Sequence, residues 1–498
     1  MTRQLVTESI VLTLVGAAIG LLLGWWGLRV FEALRLNQMP RGSEVAVDAT
    51  VVVFILALAL LVGVVIGVIP VLHTLRIDLS QVFRADSRTG TSGRGARILR
   101  RVLAVTQIAF ALVLLVGAGL LLASFRQVLA VKPGFSAANL VTGTVALPSV
   151  RYKGDPELRA FARLSLEKIR ALPGVVQAGA TDSIPFGHNS SDSLIYAEGY
   201  VMKPGESVIS PSRIVATPGY FETMRVPLLE GRLFDARDTA DSLKAVVVDQ
   251  RLARKFWPDG SPVGRRMWQP TGSQDLVQPS ANSRWYTVVG VVGSVKLRAL
   301  VDPDERVGAY YFPNEQNPRD DLTFAVRTAG EPSAIVPALR KAITEVDPEL
   351  PLFDLQTMEE RIAESLVARR SPMLIALGFG AVALFLAGVG IYGVLAYMVA
   401  QRTREIGIRM ALGSTAERIF KLVLREGVLL LAAGFALGLA GTFVLARYLE
   451  SQLFGVRPMD PYVLAGVAAT LAAAAIVACV LPAYRAARVD PIIALRQE

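Results

Sequence analysis

Six apolar runs divide the chain. They cover about residues 10–30, 51–72, 102–125, 373–399, 428–446 and 462–484. A helix needs roughly 20 residues to cross a bilayer, and each run is close to or above that length. The second, fourth and sixth hold no charged residue. A buried helix of a soluble protein rarely runs so far without a charge, so the pattern predicts six spanning helices. The first run is not read as a cleaved signal. It is too long, it carries Trp25 and Trp26 at its far end, and no small-residue cleavage site follows.

Residues 126–372 follow a different pattern. "DPELRAFARLSLEKIRALPGV" (155–175) opens on Asp-Pro, spaces its apolar residues helically and stops at Pro-Gly. "AVVVD", "YTVVGVVGSV" and "LTFAVRT" predict strands, and "SAIVPALRKAITEVD" (333–347) a second helix. The expected fold is therefore a polytopic α-helical membrane protein with a large α+β domain between its third and fourth spans.

Composition agrees. The 498 residues are 52% hydrophobic with a net charge of +10, too apolar for an ordinary soluble enzyme. Cys479 is the single cysteine, so no disulfide can form within the chain. His73 and His188 are far apart, which argues against a His/Cys metal cluster. Charge orients the spans. Residues 73–101, 401–427 and 483–498 lie on one side and together hold nine more basic than acidic residues, nearly the whole net charge. Cationic loops stay cytoplasmic. Both termini are then expected inside, residues 126–372 outside, and Trp25 and Trp26 at the outer interface.

The stretch "QRTREIGIRMALGSTAERIFKLVLREG" (401–427) is more than scattered retention charges. Ile406, Ile408, Met410 and Leu412 cluster near Arg402, Arg404 and Arg409. Gly413-Ser414-Thr415 breaks the run, with Ser414 or Thr415 as the expected N-cap of a helix from Ala416. Ile419, Phe420, Val423 and Leu424 form an apolar stripe. This predicts an amphipathic helix along the membrane surface, resting on lipid or docking a partner.

The chain also repeats itself. "ESIVLTLVGAAIG" (8–20) matches "EGVLLLAAGFALG" (426–438) at an offset of 418, pairing Glu8 with Glu426, Gly16 with Gly434 and Gly20 with Gly438. "IPVLHTLRIDLSQVFRAD" (69–86) matches "LPAYRAARVDPIIALRQE" (481–498) at an offset of 412, which also pairs Asp48 with Asp460. Such repeats mark two related bundle halves. The four glycines are small-xxx-small spacings suited to close helix packing.

Two polar stretches invite other readings. "TDSIPFGHNSSDS" (181–193) holds Asp182, Ser183, His188, Ser190, Ser191 and Asp192, but no nucleophile elbow surrounds any serine, so it reads as a polar loop. "RADSRTGTSGRGARILRR" (84–101) lacks the interleaved aromatics of a nucleic-acid arm and adjoins two spans. It reads as a cytoplasmic connector that touches anionic membrane lipid.

"QRTREIGIRMALGSTAERI" resembles the signature of the FtsX/MacB superfamily of ABC transporter permeases. "RRVLAVTQIAFALVLLVGAGLLLASF" (100–125) resembles the first helix of a permease half. "GYFETMRVPLLEGRLFDARD", "VVVDQRLARKFWPDGSPVGRRM" and "VVGVVGSVKLRALVDPDERVGAYYFP" resemble the MacB-like periplasmic core domain. "LFGVRPMDP" and the duplication are similar to a duplicated orphan permease subgroup of acidobacteria. The resemblance implies the following order: the C-terminal part of a first permease domain (1–86, two spans), a basic linker (87–101), a span (102–125), the periplasmic core domain (126–372) and a second permease domain (373–498, three spans). Because Met1 aligns with Ile419, the chain is expected to be the back end of a longer duplicated protein.

The family implies ATP-driven mechanotransmission in efflux or extrusion at the bacterial inner membrane. A cytoplasmic ATPase subunit would engage 401–427, through Arg402, Arg404, Glu405, Arg409 and Arg418, with Gly407 and Gly413 permitting close approach or a turn. No G-x-x-x-x-G-K-[ST] pattern occurs, so ATP would bind on that partner, and the chain itself is expected to be no enzyme and to hold no cofactor or metal. A second permease half or an identical chain, and a periplasmic adaptor, are the further partners implied; nucleic acid is not. A signalling permease activating a cell-wall hydrolase, or a non-functional remnant, are the alternatives.

Overall fold

The computed structural model describes residues 2–33, 47–75, 92–272, 278–281, 283–301, 307–412 and 414–487. The chain divides into two compact units, residues 1–126 with 367–498, and residues 127–366. Among the described residues three long helices come first: α1 (Thr2–Ala33), α2 (Ala49–Leu75) and α3 (Ser92–Leu129). α1 and α2 pack closely. A Cβ added at Gly63 would lie 2.5 Å from Thr13 Oγ1, and one at Gly67 would lie 2.9 Å from the Val6 Cα. The start of α2 is capped by Asp48, whose Oδ1 accepts from Val51 N at 2.8 Å.

Residues 127–366 form a mixed sheet flanked by short helices. In chain order the elements are β1 (Leu140–Ala146), α4 (Asp155–Arg170), β2 (Val175–Thr181), β3 (Ser191–Asp192), β4 (Tyr196–Ala197), β5 (Ser212–Ala216), α5 (Tyr220–Met224), β6 (Leu228–Gly231), β7 (Ala245–Asp249), α6 (Gln250–Phe256), β8 (Arg266–Gln269), β9 (Arg284–Val292), β10 (Ala309–Pro313), β11 (Asp321–Thr328), α7 (Val336–Thr344), β12 (Phe353–Thr357) and α8 (Met358–Ser365). Strand order is β12-β1-β11-β2-β5-β10-β7-β9-β8-β4, with β3 on β5 and β6 on β9. Two pairings, β5 with β10 and β7 with β9, are parallel.

Periodicity explains which faces are covered. α4 buries Phe161, Leu166 and Ile169 with Leu339 and Ile343 of α7, over Val141, Phe324 and Val326 of the sheet. A second core gathers Val246, Val248, Val288, Tyr310 and Phe312 under Leu252 and Phe256 of α6. That helix starts at Asp249, whose side chain accepts from Leu252 N. Burial raises the Asp249 carboxyl pKa above its ordinary value, against the pull of that hydrogen bond.

The chain closes with α9 (Val367–Gln401), α10 (Thr403–Ala411), α11 (Ala416–Leu449) and α12 (Pro461–Ala487). Ile108, Leu112 and Leu120 of α3 share one core with Ile391 and Leu395 of α9, Val423 and Leu430 of α11, and Leu471 and Cys479 of α12. Asp460 caps α12 as Asp48 caps α2, accepting from Val463 N at 3.2 Å. The two matched aspartates of the repeat thus do the same job. Among the described residues six helices, within 6–30, 49–68, 98–129, 367–401, 416–452 and 461–486, are long and apolar enough to cross a membrane.

The structure corrects the expected surface helix. Residues 416–449 are one unbroken helix, so the stripe on its first turns does not lie in a separate element. Ile419 and Val423 are buried in the helical core, and Phe420 and Leu424 pack against it. The charges interleaved with the stripe suggested a membrane interface, but neighbouring helices extend far enough to cover it.

Candidate coupling segment

α9 ends and α10 begins at Arg402, whose N donates to Met398 O and Val399 O at 3.2 and 3.1 Å. Thr403 Oγ1 donates to Val399 O at 3.0 Å, which secures the break with a side chain. α10 is anchored by one face. Ile406 is 3% exposed and belongs to the helical core, Met410 packs against that core, and Gly407 is buried beside them.

The opposite face points away. Ile408 and Leu412 are 43% and 82% exposed, one turn apart. Beside them Arg409 NH2 donates to Glu405 Oε1 at 2.6 Å, and Arg402 Nε lies 3.9 Å from Glu405 Oε2. The four apolar residues of "IGIRMAL" therefore split by helical spacing: 406 and 410 inward, 408 and 412 outward. The sequence reading placed the recognition chemistry on the arginines and did not separate these pairs. The i, i+4 relation of Ile408 and Leu412 was the available signal. Arg418 is exposed on the first turn of α11, where Glu417 and Lys421 pair at 2.6 Å. The Arg404 side chain and Gly413 lie outside the described residues.

A belt of polar contacts ties the same end of the bundle together. Arg101 of α3 donates to Glu426 of α11 at 2.8 Å. The Arg100 guanidinium sits 3.6 Å from the centre of the Tyr397 ring, and Arg485 NH1 donates to Tyr392 OH at 3.2 Å. Toward the other end, the small-residue stripe of α11 meets α3. A Cβ at Gly434 would stand 2.6 Å from Ile108 Cβ, and one at Gly438 would stand 2.7 Å from Leu112 Cδ2. Gly16 and Gly20 differ: among the described residues nothing lies within 4 Å of a Cβ built on either.

The loop after β2 assembles no catalytic group. Asp182 is buried, accepts from Val215 N at 2.7 Å and faces Arg319 and Arg213 at 3.4 and 3.7 Å. Burial raises its carboxyl pKa, which Val215 N and Arg319 only partly oppose. Ser183 Oγ donates to Asn189 O, and among the described residues no serine hydroxyl bonds to His188. No group of three or more His, Cys, Asp or Glu among the described residues could hold a metal ion.

Comparison with known proteins adds the following. The model described as FtsX-like permease C-terminal matches residues 1–79 and again 377–491. The MacB-like periplasmic core domain matches residues 102–346. The macrolide export ATP-binding/permease protein MacB of Syntrophobacter fumaroxidans is 23% identical over 482 residues, covering 85% of this chain and 65% of that protein. The pyoverdine export ATP-binding/permease protein PvdT of Pseudomonas syringae pv. syringae is 27% identical over 282 residues, covering 55% of this chain and 40% of that protein. The chain thus spans 40% and 65% of the lengths of these relatives. The crystal structure of the periplasmic region of MacB from Actinobacillus actinomycetemcomitans aligns over 47% of this chain and 95% of that chain, with 14% identity and a TM-score of 0.31.

Proposed function

We propose that this chain, which belongs to the FtsX-like permeases with a MacB-like periplasmic core domain, is the permease subunit of an ABC transporter driven by a separate cytoplasmic ATPase. The observation that carries this reading is the outward face of α10. Ile408 and Leu412 form an apolar patch bordered by Glu405 and Arg409, on a helix whose other face is fixed in the bundle core. An apolar pair rimmed by charges is a docking surface, and the buried anchor transmits what the docked partner does.

Arg402, Arg409 and Arg418, with Arg404, supply cations for an acidic groove on that ATPase, and ATP is bound there rather than on this chain. Chain continuity gives the route outward. α9 leads from α10 to residue 367, and α3 carries the chain into the external unit at residue 127. Closure of the ATPase pair would pull on α10 and shift α9 and α3 through the shared core, moving the periplasmic domain without a central pore. Efflux or extrusion is the work such a stroke performs. Both termini and residues 401–427 are cytoplasmic in this reading.

Arg404→Glu/Arg409→Glu and, separately, Leu412→Asp should each reduce recovery of an ABC ATPase with the tagged chain by about tenfold or more, with membrane insertion unchanged. The readout is quantitative mass spectrometry after gentle solubilisation. Undiminished recovery from both variants would remove the coupling role.

A further inference from the structure

The two halves of the repeat use the same stripe differently. On α11, Glu426, Gly434 and Gly438 lie along one face and receive a single helix. Arg101 of α3 donates to Glu426, and Ile108 and Leu112 fill the hollows at the glycines. Backbone meets backbone here: the Gly438 position also lies 3.0 Å from Ala109 O, and the Gly434 position 3.1 Å from Val105 O. On α1 the matching residues are Glu8, Gly16 and Gly20. The hollows at Gly16 and Gly20 are open, and Leu12 between them and Glu8 is 75% exposed. Glu8 accepts from Gln4 of its own helix at 3.4 Å.

We infer that the Glu8–Gly16–Gly20 face of α1 docks one further transmembrane helix of α3-like chemistry. That helix has a cation at its cytoplasmic end and aliphatic side chains seven and eleven residues further on, as Arg101, Ile108 and Leu112 are spaced. Charge selects it over a second copy of α1. A parallel α1 pair through the same glycines would set Glu8 beside Glu8, two like charges at one depth. Lipid would leave Glu8 without a cation and the glycine hollows without packed neighbours. The inference rests on reading the chain as a permease with two related halves, but its test does not involve the ATPase.

The probe is an immobilised synthetic peptide copying residues 96–129 of this chain, and the sample is the full chain in mild detergent. The peptide should capture the chain. Gly16→Leu/Gly20→Leu should weaken capture by about tenfold or more. These positions face open space, so the unfolding midpoint should hold or rise. Glu8→Arg should weaken capture, and a peptide carrying Arg101→Glu should restore it. Gly378→Leu/Gly388→Leu, at open glycines of α9 outside the repeat stripe, should capture as wild type. No capture, or capture indifferent to Gly16→Leu/Gly20→Leu, overturns the inference. So does a chain that dimerises unaided and becomes monomeric with those substitutions, which would assign the face to a second copy. ATPase recovery lost with capture intact, or the reverse, separates this inference from the coupling assignment.

Discussion

Gly434 and Gly16 hold equivalent places in the repeat, yet the same substitution should act on them in opposite ways. A methyl at Gly434 would enter the Ile108 side chain at 2.6 Å, where the nearest atoms are Cβ and Cγ2 and cannot swing aside. Gly434→Ala should therefore cost about 1–3 kcal/mol by overpacking. Gly16→Ala meets open space and gains helix propensity of up to about 1 kcal/mol. Thermal midpoints of the purified chain in detergent should fall for the first and hold or rise for the second. Equal losses would mean that α1 is covered after all. A single carboxylate offers a similar test in the periplasmic domain. Glu206 pairs with Lys255 and accepts from Lys203 N and Tyr200 OH, each at 2.8 Å. Those partners, Lys255 foremost, hold its pKa down to about 2 from 4.5. A depressed acid stabilises the fold fully above its unfolded value and loses that contribution as pH falls from 4.5 toward 2. Glu206→Gln should lower the midpoint at pH 6 and flatten its decline between pH 5 and pH 3, measured by thermal unfolding. A parallel decline in both proteins would deny Glu206 that role.

Elements differ in how far sequence exposes them. The spanning helices were legible because a bilayer demands long apolar runs, and nothing else in this chain imitates them. "AVVVD" and "LTFAVRT" were legible as strands, but their neighbours were not. β1 pairs with β11 and β12, roughly 180 and 210 residues further along the chain, and such pairing leaves no local trace. The stripe at Ile419 and Val423 was visible, yet its partner was misjudged, because lipid and protein present the same apolar demand to a helix face. Arg361 shows what remained hidden. It sits on α8 with its side chain fully buried, donating to Thr142 Oγ1 of β1 at 2.8 Å and to Asp354 Oδ2 of β12 at 2.6 Å. An arginine before "IAES" reads as solvent-facing until the sheet order is known. Arg361→Ala should cost about 2–4 kcal/mol, since it empties a buried site and takes the guanidinium donor from Thr142 Oγ1 and Asp354 Oδ2. Denaturant unfolding of the chain, followed at its tryptophans, would measure the loss; a change under about 0.5 kcal/mol would mean that water replaces the guanidinium freely.

For the molecule as a whole, orientation is the premise beneath the coupling proposal, and it can be read with thiols. The only native cysteine is 2% exposed and wedged against Gly427, so it forms a quiet background. Two exposed positions report the two sides: Val201 in the periplasmic core domain, 83% exposed, and Leu412 at the C-terminal cap of α10, 82% exposed. In the proposed orientation Leu412 lies inside and residue 201 outside, because cationic segments resist translocation. In intact spheroplasts a membrane-impermeant maleimide should label Val201→Cys and spare Leu412→Cys, and permeabilisation should open the second site. The reverse pattern would turn 401–427 away from cytoplasmic ATP and end the ATPase assignment, whatever the chemistry of its surface. The expected pattern would leave α10 as an exposed apolar and charged face on the only side of the membrane where an ATPase can reach it.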